Sequence, residues 1–232
     1  MIDWHSHVLP NVDDGSRDVS ESLIMLKTLK EQGVDLVIAT PHFFADDESV
    51  DDFLEKRERA WKELSREISE NVDLSILLGA EVKYYSGISR MSGLERLQIG
   101  NSGLLLLEMP MSRWTEYTVR ELAEINSSRG LTVIMAHIER YFKLQSKDTW
   151  RRLRASGILM QVNATAFEGM GQSRRTIKLL KSGMMHFVGS DCHNMTSRPP
   201  KIQNAYETLE KKCGEHMLSQ IDEYGYNLLS NC

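Results

Sequence analysis

The sequence predicts an α/β protein folded as a distorted TIM-like (β/α)7 barrel, and three observations carry that prediction. Short apolar runs alternate with helical patterns, the runs number seven, and nearly every run ends in a side chain that binds metal ions. Alternating strand and helix patterns point to a parallel sheet wrapped by helices. An open doubly wound sheet would gather ligands at one switch point, whereas a barrel brings the C-terminal ends of all its strands to one face.

Each element can be justified in order. The first run leads from Met1 into Asp3-Trp4-His5-Ser6-His7. Residues two apart on a strand share a face, so His5 and His7 can grip one ion together. Val19, Leu23, Leu26 and Leu29 stripe a helix that Gly33 stops. The run 36–39 leads to Thr40-Pro41-His42, and a longer helix over about 49–70 is striped by Val50, Phe53, Leu54, Trp61, Leu64 and Ile68. The run 74–78 is followed by Gly79-Ala80-Glu81. Residues 82–103, with Tyr84, Tyr85 and four glycines, show little periodicity and are expected to form a long loop or short insertion beside the site.

The run 104–107 ends at Glu108, and Val119, Leu122 and Ala123 mark a helix closed by Gly130. The run 133–136 leads to His137. Helices are expected near 147–155 and 173–182, with the run 158–162 and Asn163 between them. Phe187-Val188-Gly189 then runs into Ser190-Asp191-Cys192-His193. Pro199-Pro200 opens a helix carrying Ile202, Ala205, Tyr206 and Leu209 on one face, since proline is tolerated in a first turn. Residues 215–230 read as a final short helix.

Taken singly, these residues are weak signals. An HxH pair describes two solvated histidines equally well, and Glu81 or Glu108 alone fits an ordinary salt bridge. Concentration changes the balance: of seven histidines, only His186 and His216 lie away from the strand ends. Imidazoles mixed with carboxylates, and no thiolate cluster, suit manganese, iron or zinc better than magnesium. Two or three such ions would clamp a phosphate and generate hydroxide near neutral pH.

The 232 residues are expected to form one domain, 1–232. Hydrophobic content of 41% and charged content of 26% are ordinary for a soluble globular protein. A net charge of −5 argues against nucleic-acid or anionic-membrane partners. No apolar stretch reaches the ~20 residues of a membrane helix, and no basic, apolar leader precedes Asp3, so a cytoplasmic location is expected. Cys192, Cys213 and Cys232 have no framework spacing and fit a reducing compartment.

The motifs Asp3-Trp4-His5-Ser6-His7, Val12-Asp13-Asp14-Gly15, Thr40-Pro41-His42, Gly79-Ala80-Glu81, Leu107-Glu108-Met109-Pro110, Ala136-His137-Ile138-Glu139-Arg140-Tyr141, Gln161-Val162-Asn163, Ser190-Asp191-Cys192-His193 and Arg198-Pro199-Pro200 resemble the PHP (polymerase and histidinol phosphatase) superfamily. Within it, the chain is similar to manganese-dependent bacterial protein-tyrosine phosphatases encoded with capsule and exopolysaccharide genes. The Asp-Asp-Gly and Arg-Pro-Pro segments are the subfamily-specific parts. Trp4, Asn11, Ile138 and Cys192 depart from the family's usual residues without removing a ligand.

The resemblance implies a PHP-type barrel holding two or three Mn2+ ions, with Fe or Zn as substitutes. One ion would take His5, His7, Glu81 and Asp191; a second Glu81, Glu108 and His137; a third His42, His193 and an aspartate, Asp14 favoured over Asp13. Asn163 joins Asp13 and Asp14 as a further metal-binding or supporting residue. Arg140 and Arg198 would bind phosphate, and His42 and Asp14 complete the candidate catalytic set. The implied reaction is phosphotyrosine hydrolysis by metal-generated hydroxide. Its implied substrate is the tyrosine-rich tail of a membrane polysaccharide-export autokinase.

Rival readings remain open. Cys192 and Arg198 satisfy the C-x5-R spacing of thiol phosphatases, but no glycine lies between them and Asp191 would raise the thiol pKa. A histidinol-phosphate or other small-molecule phosphoesterase shares the superfamily. An amidohydrolase-type deacylase also starts with HxH, an exonuclease is disfavoured by the charge, and a binding protein without turnover would not need a full ligand set. Trp4, Phe43, Phe44 and Trp114 fit the core as well as a substrate groove.

Overall fold

The computed structural model describes residues 1–68 and 72–230. Its strands are β1 (Ile2–Ser6), β2 (Leu36–Ala39), β3 (His42–Phe43), β4 (Ser75–Leu78), β5 (Glu81–Lys83), β6 (Leu104–Glu108), β7 (Thr132–Met135), β8 (Leu159–Asn163) and β9 (Phe187–Gly189). All pairings are parallel, in the orders β1-β2-β4 and β3-β5-β6-β7-β8-β9.

The two sheets make up one barrel wall. β2 and β3 continue one another across Thr40-Pro41, and β4 and β5 across Gly79-Ala80. Gly79 N donates to Ala39 O (2.8 Å) and Glu81 N to Pro41 O (2.9 Å), carrying the pairing across both gaps. The seven runs expected from the sequence take seven wall positions, filled among the described residues by nine strand segments. Pro41 has no N–H to offer a ladder, which helps to break the second strand. Beyond β9, Asp191 N donates to His5 O (2.7 Å) and His7 N to Cys192 O (2.9 Å), closing the wall on β1.

Around the wall lie α1 (Val19–Glu31), α2 (Val50–Ile68), α3 (Glu116–Ser128), α4 (Lys147–Ala155), α5 (Met170–Lys181), α6 (Gln203–Cys213) and α7 (Glu215–Leu229). Asp18, Thr115 and Ser146 cap α1, α3 and α4 by accepting from the backbone N–H three residues on. Gly33, at φ 86°, takes the left-handed conformation that ends α1. The expected end of the second helix at Glu70 lies outside the described residues, as does Cys232. Among the described residues no helix is long and apolar enough to cross a membrane.

The stretch 82–103 is less of a loop than its sequence suggested. It continues β5 and then makes two 3-10 turns, Ile88–Arg90 and Leu94–Leu97, that bury Ile88, Leu94, Leu97 and Ile99. Ile99 N donates to Leu104 O and Gly100 N to Leu78 O, both at 2.8 Å, so this segment fills the space between β4 and β6.

Strand alternation sorts the core in two. Ile2, Trp4, Ile38, Leu104, Leu106, Ile134, Leu159 and Phe187 form an inner cluster, while Val37, Leu105, Leu107, Val133 and Val162 pack outward under the helices. Trp4 stacks on Phe187 with ring centroids 3.7 Å apart. α7 closes this apolar end: a Cβ on Gly225 would lie 2.7 Å from Trp4 Cζ2, so only glycine allows the helix so close.

Candidate metal centre

The polar ligands occupy the other end of the same inner surface. Alternation accounts for part of this. Glu108 follows Leu104 and Leu106 at even spacing, and Asn163 follows Leu159. Two irregularities supply the rest. The pairing of β1 with β2 slips between Asp3↔Val37 and Ser6↔Ala39, three steps against two, which is a bulge. Trp4 can therefore plug the barrel while His5 and His7 also face inward. His137 follows the inward Ala136 directly, and its backbone at φ 33°, ψ 54° turns the ring back toward the centre. Asp191 is likewise at φ 53°. Such conformations in residues other than glycine store strain and persist only where surrounding contacts hold them.

These side chains meet closely. His5 Nε2 lies 3.1 Å from His7 Nε2. Glu81 Oε2 is 3.2 and 3.5 Å from the same two nitrogens, and Asp191 Oδ1 is 3.7 and 3.6 Å from them. The other Glu81 oxygen sits 2.8 Å from His137 Nε2, which is 3.7 Å from Glu108 Oε1. His42 Nε2 and His193 Nε2 each approach Asp14 Oδ1 at 3.4 Å, and His42 Nδ1 lies 2.9 Å from Glu81 Oε2. Three groups have donor atoms all within 4.8 Å of one another: His5, His7 and Glu81; His42, Glu81 and Glu108; and His7, Asp14, His42 and His193. Spacings of this size surround a single ion at ordinary bond lengths.

Hydrogen bonding behind the rings shows what the centre needs. His7 donates from Nδ1 to Asp13 Oδ2 (2.6 Å), and His193 donates from Nδ1 to Asp191 O (3.0 Å). Each then turns an Nε2 lone pair inward. His193 Nε2 and His42 Nδ1 are buried without a well-directed hydrogen bond, although carboxylate oxygens lie nearby. A crowd of buried acceptors lacking hydrogens to share requires a cation, so the donor set fits metal ions.

The electrostatics agree. Burial pushes the Glu81 and Asp191 carboxyls up, but His5 and the other surrounding imidazoles hold both well below the usual carboxylate range. Burial presses His5 and His7 toward neutrality, yet Glu81 and Asp191 around His5, and chiefly Asp13 beside His7, raise both. The carboxylates thus demand positive charge, as protons or as metal. Burial, with His7 and Arg198, lowers His193 to about 3, leaving it a neutral donor.

Asp13 and Asp14 divide their work. Asp14 is exposed and joins His42 and His193, whereas Asp13 stands behind the ring of donors, accepting from His7 and from His42 N (2.8 Å). Arg140 Nη2 and Arg198 Nη2 each donate to Asp191 at 2.6 Å, one to each oxygen, and Asn163 Nδ2 donates to Asp191 Oδ2, also at 2.6 Å. Two residues that the sequence reading quoted only within motifs, without a role, lie behind the centre. Tyr141 OH is 3.1 Å from His137 Nδ1, and buried Gln161 is beside His5 and His137. Gln161 could have been found, since it shares a strand face with Asn163. Tyr141, just after the short 3-10 turn Ile138–Arg140, carried no such signal.

The thiol arrangement is absent. Cys192 is buried, and burial followed by Asp3 pushes its thiol far up. The amides of Thr196, Ser197 and Arg198, which would have to cradle a phosphate, all donate to Asn194 Oδ1 at 2.8–3.2 Å. Of the four aromatics considered, Trp4, Phe43 and Trp114 are core. Phe44 is half-buried, 5.2 Å from the His42 ring, and lines a cavity of about 560 Å³ with Val12, Asp13, Asp14 and Lys56.

Known proteins share this architecture. The chain is 31% identical over 237 residues to the tyrosine-protein phosphatase CpsB of Streptococcus pneumoniae, covering 95% of this chain and 94% of that one. It is 28% identical over 240 residues to the tyrosine-protein phosphatase YwqE of Bacillus subtilis, covering 100% and 92%. A solved structure from work on YwqE and CpsB, there described as unique metal-dependent tyrosine phosphatases, superposes with a TM-score of 0.84 at 26% identity, covering 100% of this chain and 95% of that one. The profile of the capsular polysaccharide synthesis family CpsB/CapC matches residues 1–225, and the chain therefore belongs to that family.

Proposed function

We propose that this chain is a metal-dependent protein-tyrosine phosphatase acting in capsular or exopolysaccharide synthesis. The observation that carries the proposal is the convergence of five histidines, Glu81, Glu108 and Asp191 at one barrel mouth, their lone pairs turned on a shared space. His5, His7, Glu81 and Asp191 would hold one ion, Glu81, Glu108 and His137 a second, and His42, His193 and Asp14 a third. Manganese is the proposed metal, in two or three copies. Bound there, it would polarise phosphoryl oxygens and lower the pKa of water.

The chain's own groups do the rest. Arg140 and Arg198 are about two-fifths exposed at the mouth, and each donates from Nη2 to Asp191. A guanidinium has five N–H donors, so the others are available to phosphoryl oxygens as negative charge gathers on them. His42 and Asp14 stand at the outer edge, where a proton can pass to the departing phenolate. A phenol of pKa near 10 leaves more readily than an alkoxide, which favours phosphotyrosine. The proposed substrate is the tyrosine-rich tail of a membrane polysaccharide-export autokinase, met in the cytoplasm.

The test is hydrolysis of a phosphotyrosine peptide by protein stripped of metal and reloaded with Mn2+, beside Cys192→Ser. Activity restored by Mn2+ and retained by the variant supports the proposal. Metal-independent turnover lost in Cys192→Ser overturns it. Turnover of histidinol phosphate alone would move the activity to a small-molecule phosphoesterase.

A further inference from the structure

Gln161 is fully buried on the inner face of β8, and its amide is pinned at both ends by backbone groups. Oε1 accepts from His137 N (2.7 Å) and Nε2 donates to Val162 O (2.7 Å). A backbone N–H only donates and a carbonyl only accepts, so the amide can sit one way round. Two consequences follow from that orientation. Oε1 also faces His5 Nδ1 at 3.4 Å, and because it can only accept, Nδ1 must carry the proton. Nε2 also donates to Asn163 Oδ1 at 3.0 Å, which turns the Asn163 NH2 toward Asp191 Oδ2 at 2.6 Å.

We infer that Gln161 is a positioning residue that imposes the proton order of the metal centre: it fixes the His5 tautomer, holds the left-handed backbone of His137, and orients Asp191 through Asn163. With Nδ1 protonated, His5 turns a lone pair from Nε2 toward Nε2 of His7, whose lone pair is set by Asp13. Two lone pairs 3.1 Å apart repel unless a cation lies between them. The same Oε1 supplies the hydrogen bond that holds His137 at φ 33°, so ligands on three strands depend on one uncharged side chain. An amide suits this role because it does not itself gain or lose a proton in the working range.

This inference rests on the proposed metal centre, and its test separates the two. Imidazole ¹⁵N NMR of the metal-free protein reads the His5 tautomer without any ion present. Recorded at a pH above the raised His5 and His7 values, where the rings are neutral, the wild type is expected to show His5 protonated at Nδ1, and Gln161→Met, similar in size but with no amide, a mixture of tautomers. Mn2+ titration should show a roughly 10- to 100-fold weaker site in Gln161→Met, the usual cost of losing a partner behind a metal ligand. Should Gln161→Met fail to fold, the wild-type spectrum by itself still tests the orientation, since His5 must then be protonated at Nδ1. A purely structural role would lower Tm while leaving tautomer and affinity per folded molecule unchanged, and that result overturns the inference. So does a neutral wild-type His5 protonated at Nε2. Failure of the wild type to bind Mn2+ would sink the metal centre and not the tautomer result.

Discussion

The two ends of the barrel lumen are built on the same strands and obey different rules. At the N-terminal end, Trp4 and Phe187 stack beneath Gly225 of α7, and the inner residues follow strict alternation. At the C-terminal end, the wall carries a bulge in β1, two strand interruptions, and left-handed residues at His137 and Asp191. The apolar end is stabilised by area removed from water, which asks only that shapes fill. The polar end must aim individual atoms, and the backbone gives up regularity to do so. Stability and chemistry are thus separated by a few ångströms along each strand.

That separation can be attacked at its strongest point first. Trp4→Ala should cost about 3–5 kcal/mol of stability by opening a cavity under α7, measured by denaturant unfolding, while Mn2+ affinity of the folded fraction stays as in wild type. Affinity that fell in step with stability would show that the ends are not independent. Glu81→Gln should do the reverse. Its two oxygens serve different imidazoles, so turnover should fall about a thousandfold, ~4 kcal/mol of barrier. Some stability in the absence of metal should be lost as well, since His5 and its buried neighbours lose the carboxylate that they hold ionised, but the larger effect is on turnover.

Asp13→Ala probes the support behind the ring. It frees the His7 tautomer and the His42 N–H, and should weaken Mn2+ binding about 10- to 100-fold by titration. Unchanged binding would mean that His7 is held by packing alone. The smallest effect is expected at Cys192. Cys192→Ser should leave turnover intact and cost about 1–3 kcal/mol for a buried hydroxyl. A collapse of activity with the fold preserved would reinstate the thiol.

Much of this was legible in the chain. Helix faces such as Val50, Phe53, Leu64 and Ile68 were visible because burial on one side leaves a period near 3.6. The candidate ligand set was visible because charged and imidazole residues at the ends of apolar runs have few other reasons to recur. Residues 82–103 were read as loop because 3-10 turns are too short to leave a period, although Ile88, Leu94 and Leu97 pack tightly. Gln161 was quoted within a motif but given no role, because an uncharged amide in a strand looks like any other buried polar residue.

The sequence by itself determined the order of strands and helices, the barrel, and which side chains reach its mouth, because these follow from periodicity and from the parallel direction of the strands. Tertiary structure alone decided how His5, His7 and His137 turn inward, that Asp14 joins the donors while Asp13 supports them, and that the amides near Cys192 are already taken by Asn194. Those outcomes depend on a one-residue slip, positive φ angles and hydrogen bonds between residues far apart in the chain, and none of these leaves a local pattern to read.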